Sequence, residues 1–140
     1  MSINQIFDIA GSGMAAQLLR VQLIASNIAN SETTRTKDGG PYRRRDAVFQ
    51  TQDLGGFGDA LAAAGVQVAG IQTSQEPFPT RYEPGHPDAD ANGMVKYPNV
   101  DPVEEMVNLT EASRSYEANI ASVRTAKSMA AAALAILQAQ

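Results

Sequence analysis

Few side chains in this 140-residue chain have the chemistry to do catalysis. There is one histidine, His86, wedged between Gly85 and Pro87, and there is no cysteine. A Ser-His-Asp triad therefore has a single possible base, and no G-x-S-x-G elbow accompanies it. Thiol nucleophiles, disulfides and thiolate metal sites are excluded outright. Carboxylates are more plentiful, with Glu76, Glu83, Asp88, Asp90 and Asp101 in or near loop-like stretches. A glycosidase pair works through a set separation and split pKa values, and neither is encoded in spacing. Solvated surface acids are the simpler reading.

The run DADANG at residues 88–93 matches the opening of an EF-hand loop, whose oxygens at positions 1, 3 and 5 bind Ca²⁺ around a glycine at position 6. The match then breaks. Lys96 stands at position 9, Asn99 replaces the bidentate Glu at position 12, and Pro87 and Pro98 deny the flanking helices. An Asp/Asn-Gly turn that bonds its own backbone is the expectation, with no metal and no cofactor. The remaining cluster is basic: Arg43, Arg44 and Arg45, with Arg35, Lys37 and the interleaved Tyr42. A net charge of −4 argues against a nucleic-acid surface, since polyanion binders carry broad basic faces. The expected partner of Arg43, Arg44 and Arg45 is instead an acidic face on a neighbouring subunit, such as Glu104, Glu105, Glu111 and Glu117 would offer.

The elements that position these residues divide the chain in three. Residues 1–30 read as a helix. Ser2 with Gln5 has capping-box spacing, and Phe7, Met14, Val21 and Ile28 recur every seven residues beside Ile3, Ala10, Gln17 and Ile24. Gly11 and Gly13 each cost about 1 kcal/mol in a helix interior. Residues 101–140 read as a second helix, opened by an N-cap Asp101, a Pro102 at the first helical position and Glu104 at the third. Its apolar seam runs through Met106, Leu109, Tyr116, Ile120, Val123, Ala130, Leu134 and Leu137, interrupted by Ser113 and Lys127. Residues 31–100 form a linker and a β-rich middle segment, with strands expected at 47–50, 66–72, 80–82 and 94–97 and a turn at Asn92-Gly93. Residues 55–65 read as a flexible insert. Asn27 and Asn30 are expected to bond backbone where the first helix gives out.

A helix over 102–138 would be about 55 Å long, whereas a compact globule of this size is about 37 Å across. The expected fold is therefore mainly α with a small β region, its two terminal helices paired as an antiparallel coiled coil. The stretch 129–137 is apolar around its whole circumference, so one partner helix cannot cover it. An elongated subunit of an ordered array is the economical answer. That apolar stretch is about half a membrane span, and the first residues lack a basic n-region and an apolar h-region. Neither a transmembrane segment nor a cleaved signal is expected.

Several stretches together carry a resemblance: IFDIAGS at 6–12, ASNIAN at 25–30, GPYR at 40–43, EPGHPDADANG at 83–93, YPNVD at 97–101, EMVN at 105–108 and ASRSYEANI at 112–120. They resemble the bacterial flagellar basal-body rod proteins of the rod and hook axial family. Ala29, Asn30 and Thr33 match that family's A-N-x-x-T signature, although Thr34 and Arg35 stand where its members often continue with Gly and an aromatic. The resemblance implies a structural, non-enzymatic subunit of the proximal rod, in the periplasm, that transmits torque towards the distal rod and hook. It also implies self-association, neighbours FlgB, FlgF and FlgG, the adaptor FliE and the inner-membrane ring protein FliF. Delivery by flagellar type III export is implied as well. The rivals from other classes are a cytoplasmic coiled-coil adaptor and an interfacial membrane helix.

Overall fold

The computed structural model describes residues 3–53 and 64–138; the side chains of residues 3, 53, 137 and 138 are outside that description. Two long helices, α1 (Ile3–Ala29) and α2 (Pro102–Gln138), bracket four strands: β1 (Arg45–Asp53), β2 (Ala64–Thr73), β3 (Thr80–Tyr82) and β4 (Met94–Lys96). The helix boundaries follow from local chemistry. Asp101 caps α2, its Oδ1 accepting the Val103 N–H at 2.8 Å and its carbonyl the Glu105 N–H at 3.0 Å. Pro102, which lacks an N–H to leave unpaired, takes the first helical position, and Glu104 and Glu105 sit in the first turn against the helix dipole. At the end of α1, Asn30 Nδ2 donates to the Ser26 carbonyl at 2.8 Å and Ser31 Oγ to the Ile28 carbonyl at 2.9 Å. These bonds join the backbone N–H groups of Asn30 and Ser31 on the same two carbonyls and fix the last turn of the helix.

The helices pack antiparallel. Asn27 hydrogen-bonds Glu105, Arg20 lies 4.0 Å from Glu111, and a Cβ built on Gly13 would stand 2.9 Å from Asn119 Nδ2. One step forward along α1 thus matches one step back along α2, so the start of α1 lies beside residue 129. Residues 130–138 project past it by about 13 Å at 1.5 Å per residue. Among the described residues α2 packs on no other element than α1, whereas α1 also supports the β1–β2 hairpin. The Val66 N–H donates to Ser12 Oγ at 3.1 Å, and Ala47 and Phe49 share a cavity with Leu23 and Ile24. α1 is therefore the element on which both α2 and the hairpin pack, and its Asn27 touches both.

Strands β1 and β2 pair antiparallel from Arg45 opposite Thr73 to Asp53 opposite Ala64, with a bulge that leaves Ala69 unpaired. Both run longer than their apolar cores predict, and Ala64 and Gly65 belong to β2, not to a flexible insert. The remainder of that expected insert lies outside the described residues. Strands β3 and β4 form a second two-stranded sheet around the buried Val95.

The seam between the helices differs from the expected one by a single residue. On α2 the buried row is Glu105, Ala112 and Ala126, with Asn119 completing the seven-residue spacing, and Leu109, Tyr116, Val123 and Ala130 flank it half-buried. Met106 is 56% exposed and turned away from α1, and Leu134, 59% exposed, lies beyond the start of α1. Leu137, the last member of the expected seam, lies outside the described side chains. Ser113 and Lys127, read as interruptions of the seam, are exposed and interrupt nothing. On α1, Ile24 is buried and Phe7, Met14, Val21 and Ile28 are half-buried along the flank of the contact. The displacement has a physical cause. The buried Asn27–Glu105 bond and the close approach at Gly13 rotate the narrow face of α2, with its alanines, onto α1.

Candidate assembly site

The most tightly determined place in the molecule is where the end of α1, the start of β1 and the start of α2 meet. Asn27 is 0% exposed and uses every hydrogen-bonding capacity it has. Its Nδ2 donates to Glu105 Oε2 at 2.9 Å and to the Arg45 carbonyl at 3.0 Å. Its Oδ1 accepts the Tyr42 hydroxyl at 2.9 Å and the Arg45 N–H at 3.0 Å. Glu105, 1% exposed, is held on its other oxygen by Arg44 Nε at 2.8 Å. A buried carboxylate is tolerable only when paired and hydrogen-bonded, and this one is both. Arg44 also lies 3.5 Å from each of Glu104 and Asp46. Burial pulls the Arg44 guanidinium towards deprotonation, and the surrounding Asp46, Glu105 and Glu104 carboxylates outweigh that, leaving its pKa raised.

The knot extends into the middle segment. The Arg44 N–H donates to Asn99 Oδ1 at 3.0 Å, and Asn99 Nδ2 donates to Ser74 Oγ at 3.0 Å. Tyr42 N–H donates to the Thr33 carbonyl at 3.0 Å, and Thr33 Oγ1 to Asn30 Oδ1 at 3.2 Å. The signature residues Ala29, Asn30 and Thr33 therefore end α1 and start the turn that aims Tyr42 at Asn27. Residues 36–40 close a further turn, the Thr36 N–H donating to the Gly40 carbonyl at 2.9 Å. Gly39 and Gly40 adopt φ of 84° and 80° there, a left-handed conformation that favours glycine.

The expectation that Arg43, Arg44 and Arg45 meet a neighbour's acids needs correction. Arg44 is committed to Glu105 of its own chain, and Arg43 donates to the Ser74 carbonyl at 3.1 Å while lying 4.2 Å over the Phe78 ring. Of the three, only Arg45 remains exposed, its guanidinium 5.6 Å over Tyr42. Asn27 and Asn30 bond backbone where α1 gives out, as expected, Asn27 to Arg45 and Asn30 to Ser26, whereas spacing alone missed Glu105 as a member of the joint. The place of Asn27 in the ASNIAN end of α1 was visible, but its partners lie 15 to 78 residues away in sequence.

The residues first considered for catalysis are occupied locally. His86 Nδ1 accepts the Asp88 N–H at 3.1 Å, and Asp88 is taken by Arg35 at 2.7 Å and the Thr34 hydroxyl at 2.8 Å. Asp90 Oδ1 accepts the N–H groups of Asn92 and Met94 at 2.8 and 2.9 Å, the self-bonded turn expected of DADANG, with Gly93 at φ 76°. Glu83 accepts the Tyr97 hydroxyl at 2.9 Å, a bond that raises the phenol's pKa. Among the described residues no group of three His, Asp or Glu side chains is placed to hold a metal, and no helix is long and apolar enough to cross a membrane.

The pattern is thus a rigid joint plus large uncovered helix surface. Val103, Met106, Val107, Met129, Leu134 and Ile136 on α2 and Leu18 on α1 are each more than half exposed. Comparison with known proteins explains the combination. Residues 7–37 match the family described as flagella basal body rod protein, and residues 91–136 match the C-terminal family described for flagellar basal body rod FlgEFG proteins. The two matches cover most of α1 and α2, and hence Asn27 on one side of the joint and Asn99, Asp101 and Glu105 on the other. The flagellar basal-body rod protein FlgC of Salmonella typhimurium is 52% identical over 129 residues, covering 92% of this chain and 93% of that protein. FlgC of Escherichia coli O157:H7 is 50% identical with the same coverage, and FlgC of Borreliella burgdorferi is 41% identical over 99% of both chains. With helices and joint alike inside the alignment that spans 99% of the chain, the chain belongs to the FlgC family of flagellar basal-body rod proteins.

Proposed function

We propose that the chain builds the proximal rod, the periplasmic shaft that carries torque from the inner-membrane ring to the distal rod and hook. As a member of its family it is a structural rod subunit, not an enzyme, and the reading as a cytoplasmic adaptor is disfavoured by the same relatives. The observation that carries the finer reading is the mismatch between α2 and its cover. Among the described residues this 37-residue helix has one partner element, and it exposes aliphatic side chains at both ends. Isolated, that surface is a liability; in a tube of like subunits it is the adhesive.

In this reading residues 1–30 and 101–140 pair as an antiparallel coiled coil in the inner layer of the tube. Phe7, Met14, Val21, Ile24 and Ile28 meet Leu109, Tyr116, Ile120, Val123 and Ala130 within the pair or across to the next one. Met106 and Leu134 face neighbours, and Arg45 is free to meet a neighbour's acid. Residues 31–100, tied to both helices through the Asn27–Glu105–Arg44 knot, fix the angular position of each subunit. Many interlocked apolar contacts resist shear, which is what torque transmission demands. Neighbours would be further copies, FlgB, FlgF and FlgG, FliE at the base and the ring protein FliF, reached by flagellar type III export.

Deleting the gene tests the reading directly. Cells without the chain should build no hooks or filaments and should recover both when it is supplied in trans. Hooks assembled in the deletion strain would overturn it.

A further inference from the structure

Two of the three arginines that follow Tyr42 border one cavity of about 450 Å³, together with Asp38, Thr73, Phe78 and Tyr42 itself. Among the described residues neither Arg43 nor Arg45 has a carboxylate within ion-pair distance, whereas Arg44 between them has Asp46, Glu104 and Glu105. Like charges held side by side repel, so an anion placed between Arg43 and Arg45 gains from both.

The two guanidiniums are held in place by the fold. Arg43 Nη1 donates to the Ser74 carbonyl at 3.1 Å and the group lies 4.2 Å over the Phe78 ring, while its Nε and Nη2 make no hydrogen bond among the described residues. Arg45 is anchored from its backbone. Its N–H and its carbonyl both bond the side chain of Asn27 at 3.0 Å, and the hydroxyl of Tyr42, whose ring lies 5.6 Å from the Arg45 guanidinium, bonds the same Asn27 at 2.9 Å. One buried amide thus fixes the base of Arg45 and the ring beside its head. Across the hairpin Arg45 pairs with Thr73, which lines the same cavity. On the linker side the cavity is closed by the turn in which Gly39 and Gly40 take left-handed φ. Much of the ordering that a ligand would otherwise have to impose is already in place.

We propose that this cavity is a receptor for one peptide carboxylate, held between Arg43 and Arg45. Arginine's planar fork matches a carboxylate through paired N–H donors. The rings of Phe78 and Tyr42 offer apolar surface to the stem that carries it. Asp38 sets the charge: two cations and one anion in the lining suit a monoanion and disfavour phosphate or a polyanion. A Glu or Asp side chain and a free C-terminus supply the same group. The inference deepens the statement that Arg45 meets an acid by naming the receptor, and it rests on the rod reading only for the source of that acid.

The test is an NMR titration of the full, isotope-labelled chain with an N-acetylated, C-amidated peptide that contains one Glu, with a Glu-free peptide that ends in a free carboxylate, and with inorganic phosphate. The expected result is a saturable shift of the Arg43 and Arg45 Nε–H signals and of the Thr73 amide with a peptide carboxylate. Whichever peptide binds names the side chain or the C-terminus as the source. Arg45→Gln should weaken binding about tenfold while the remaining spectrum keeps its folded dispersion. Arg124→Gln, a cation removed from α2, should leave the affinity unchanged, and Asp38→Asn should raise the affinity for phosphate. No saturable shift with either peptide, tighter binding of phosphate than of peptide by the natural chain, or an equal loss with Arg124→Gln would overturn the receptor. An unchanged phosphate affinity in Asp38→Asn would overturn the choice of a monoanion. None of these outcomes touches the rod reading, which hook assembly in the deletion strain decides separately.

Discussion

Asn27 can be replaced by nothing of its size without stranding a partner. It is donor to a carboxylate and a carbonyl, and acceptor from a phenol and a peptide N–H, all out of water. Leaving buried groups unpaired costs about 1–3 kcal/mol each, so Asn27→Ala should lower the unfolding free energy of the isolated chain by about 2–4 kcal/mol. Urea denaturation with an unchanged m-value is the measurement. A loss below about 0.5 kcal/mol, the size of an ordinary surface change, would mean that the knot does not stabilise the monomer. Asn27→Asp should be worse still, because it sets a second carboxylate against Glu105. A milder residue-scale effect concerns Tyr97, whose pKa is raised by its bond to Glu83. The folded chain favours the neutral phenol, so this pair stabilises below the ordinary tyrosine value of about 10 and is lost as pH climbs through the raised one. The stability gap between the natural chain and Tyr97→Phe should be open at neutral pH and close in strong alkali. A gap independent of pH would remove the linkage.

For the helices, two glycines two residues apart have opposite meanings. A Cβ at Gly13 would stand 2.9 Å from Asn119 Nδ2, whereas one at Gly11 meets nothing within 4 Å. Gly11→Ala should therefore stabilise the isolated chain by up to about 1 kcal/mol through helix propensity. Gly13→Leu should destabilise it by about 1–3 kcal/mol by wedging the helices apart. Equal effects at the two sites would show that the close approach is absent in solution. The same pair marks the limit of what periodicity reveals. Both helices, the Asp101 cap of α2 and the four strand centres were legible, because seven-residue spacing, the Asp101-Pro102 start and alternating β-type runs are local signals; the Ser2 cap expected for α1 lies outside the described residues. The seam was displaced by one residue because hydrophobic period counts Glu105 and Asn119 as outward-facing and cannot register that Asn27, 78 positions from Glu105, pulls that side of α2 inward. The same long-range chemistry took Arg44 away from the surface, where a run of three arginines had suggested it belonged.

In the molecule as a whole, folding and assembly draw on different faces of one helix, and this separation can be tested. Ala112 is fully buried where the helices meet, with no water to hydrate a charge, and the cation nearest in register, Arg20, already lies beside Glu111; Ala112→Asp should unfold the helix pair itself, at a cost of several kcal/mol. Leu134 is 59% exposed and lies past the start of α1, so the isolated chain gains little from it. Leu134→Asp should leave the monomer's unfolding free energy within about 0.5 kcal/mol of the natural chain, as exposed substitutions do. In the cell the two variants should nevertheless converge on non-motile bacteria without hooks, one through degradation of an unfolded subunit and the other with a stable subunit that cannot join the rod. Immunoblots of cell extracts separate the cases: the Leu134→Asp chain should accumulate at normal levels while hooks are missing. Full motility with Leu134→Asp would mean that the overhanging tail is not an assembly surface. Loss of the monomer's stability would mean that the tail is covered by its own chain. Either result would remove the physical reason for a helix longer than its own partner.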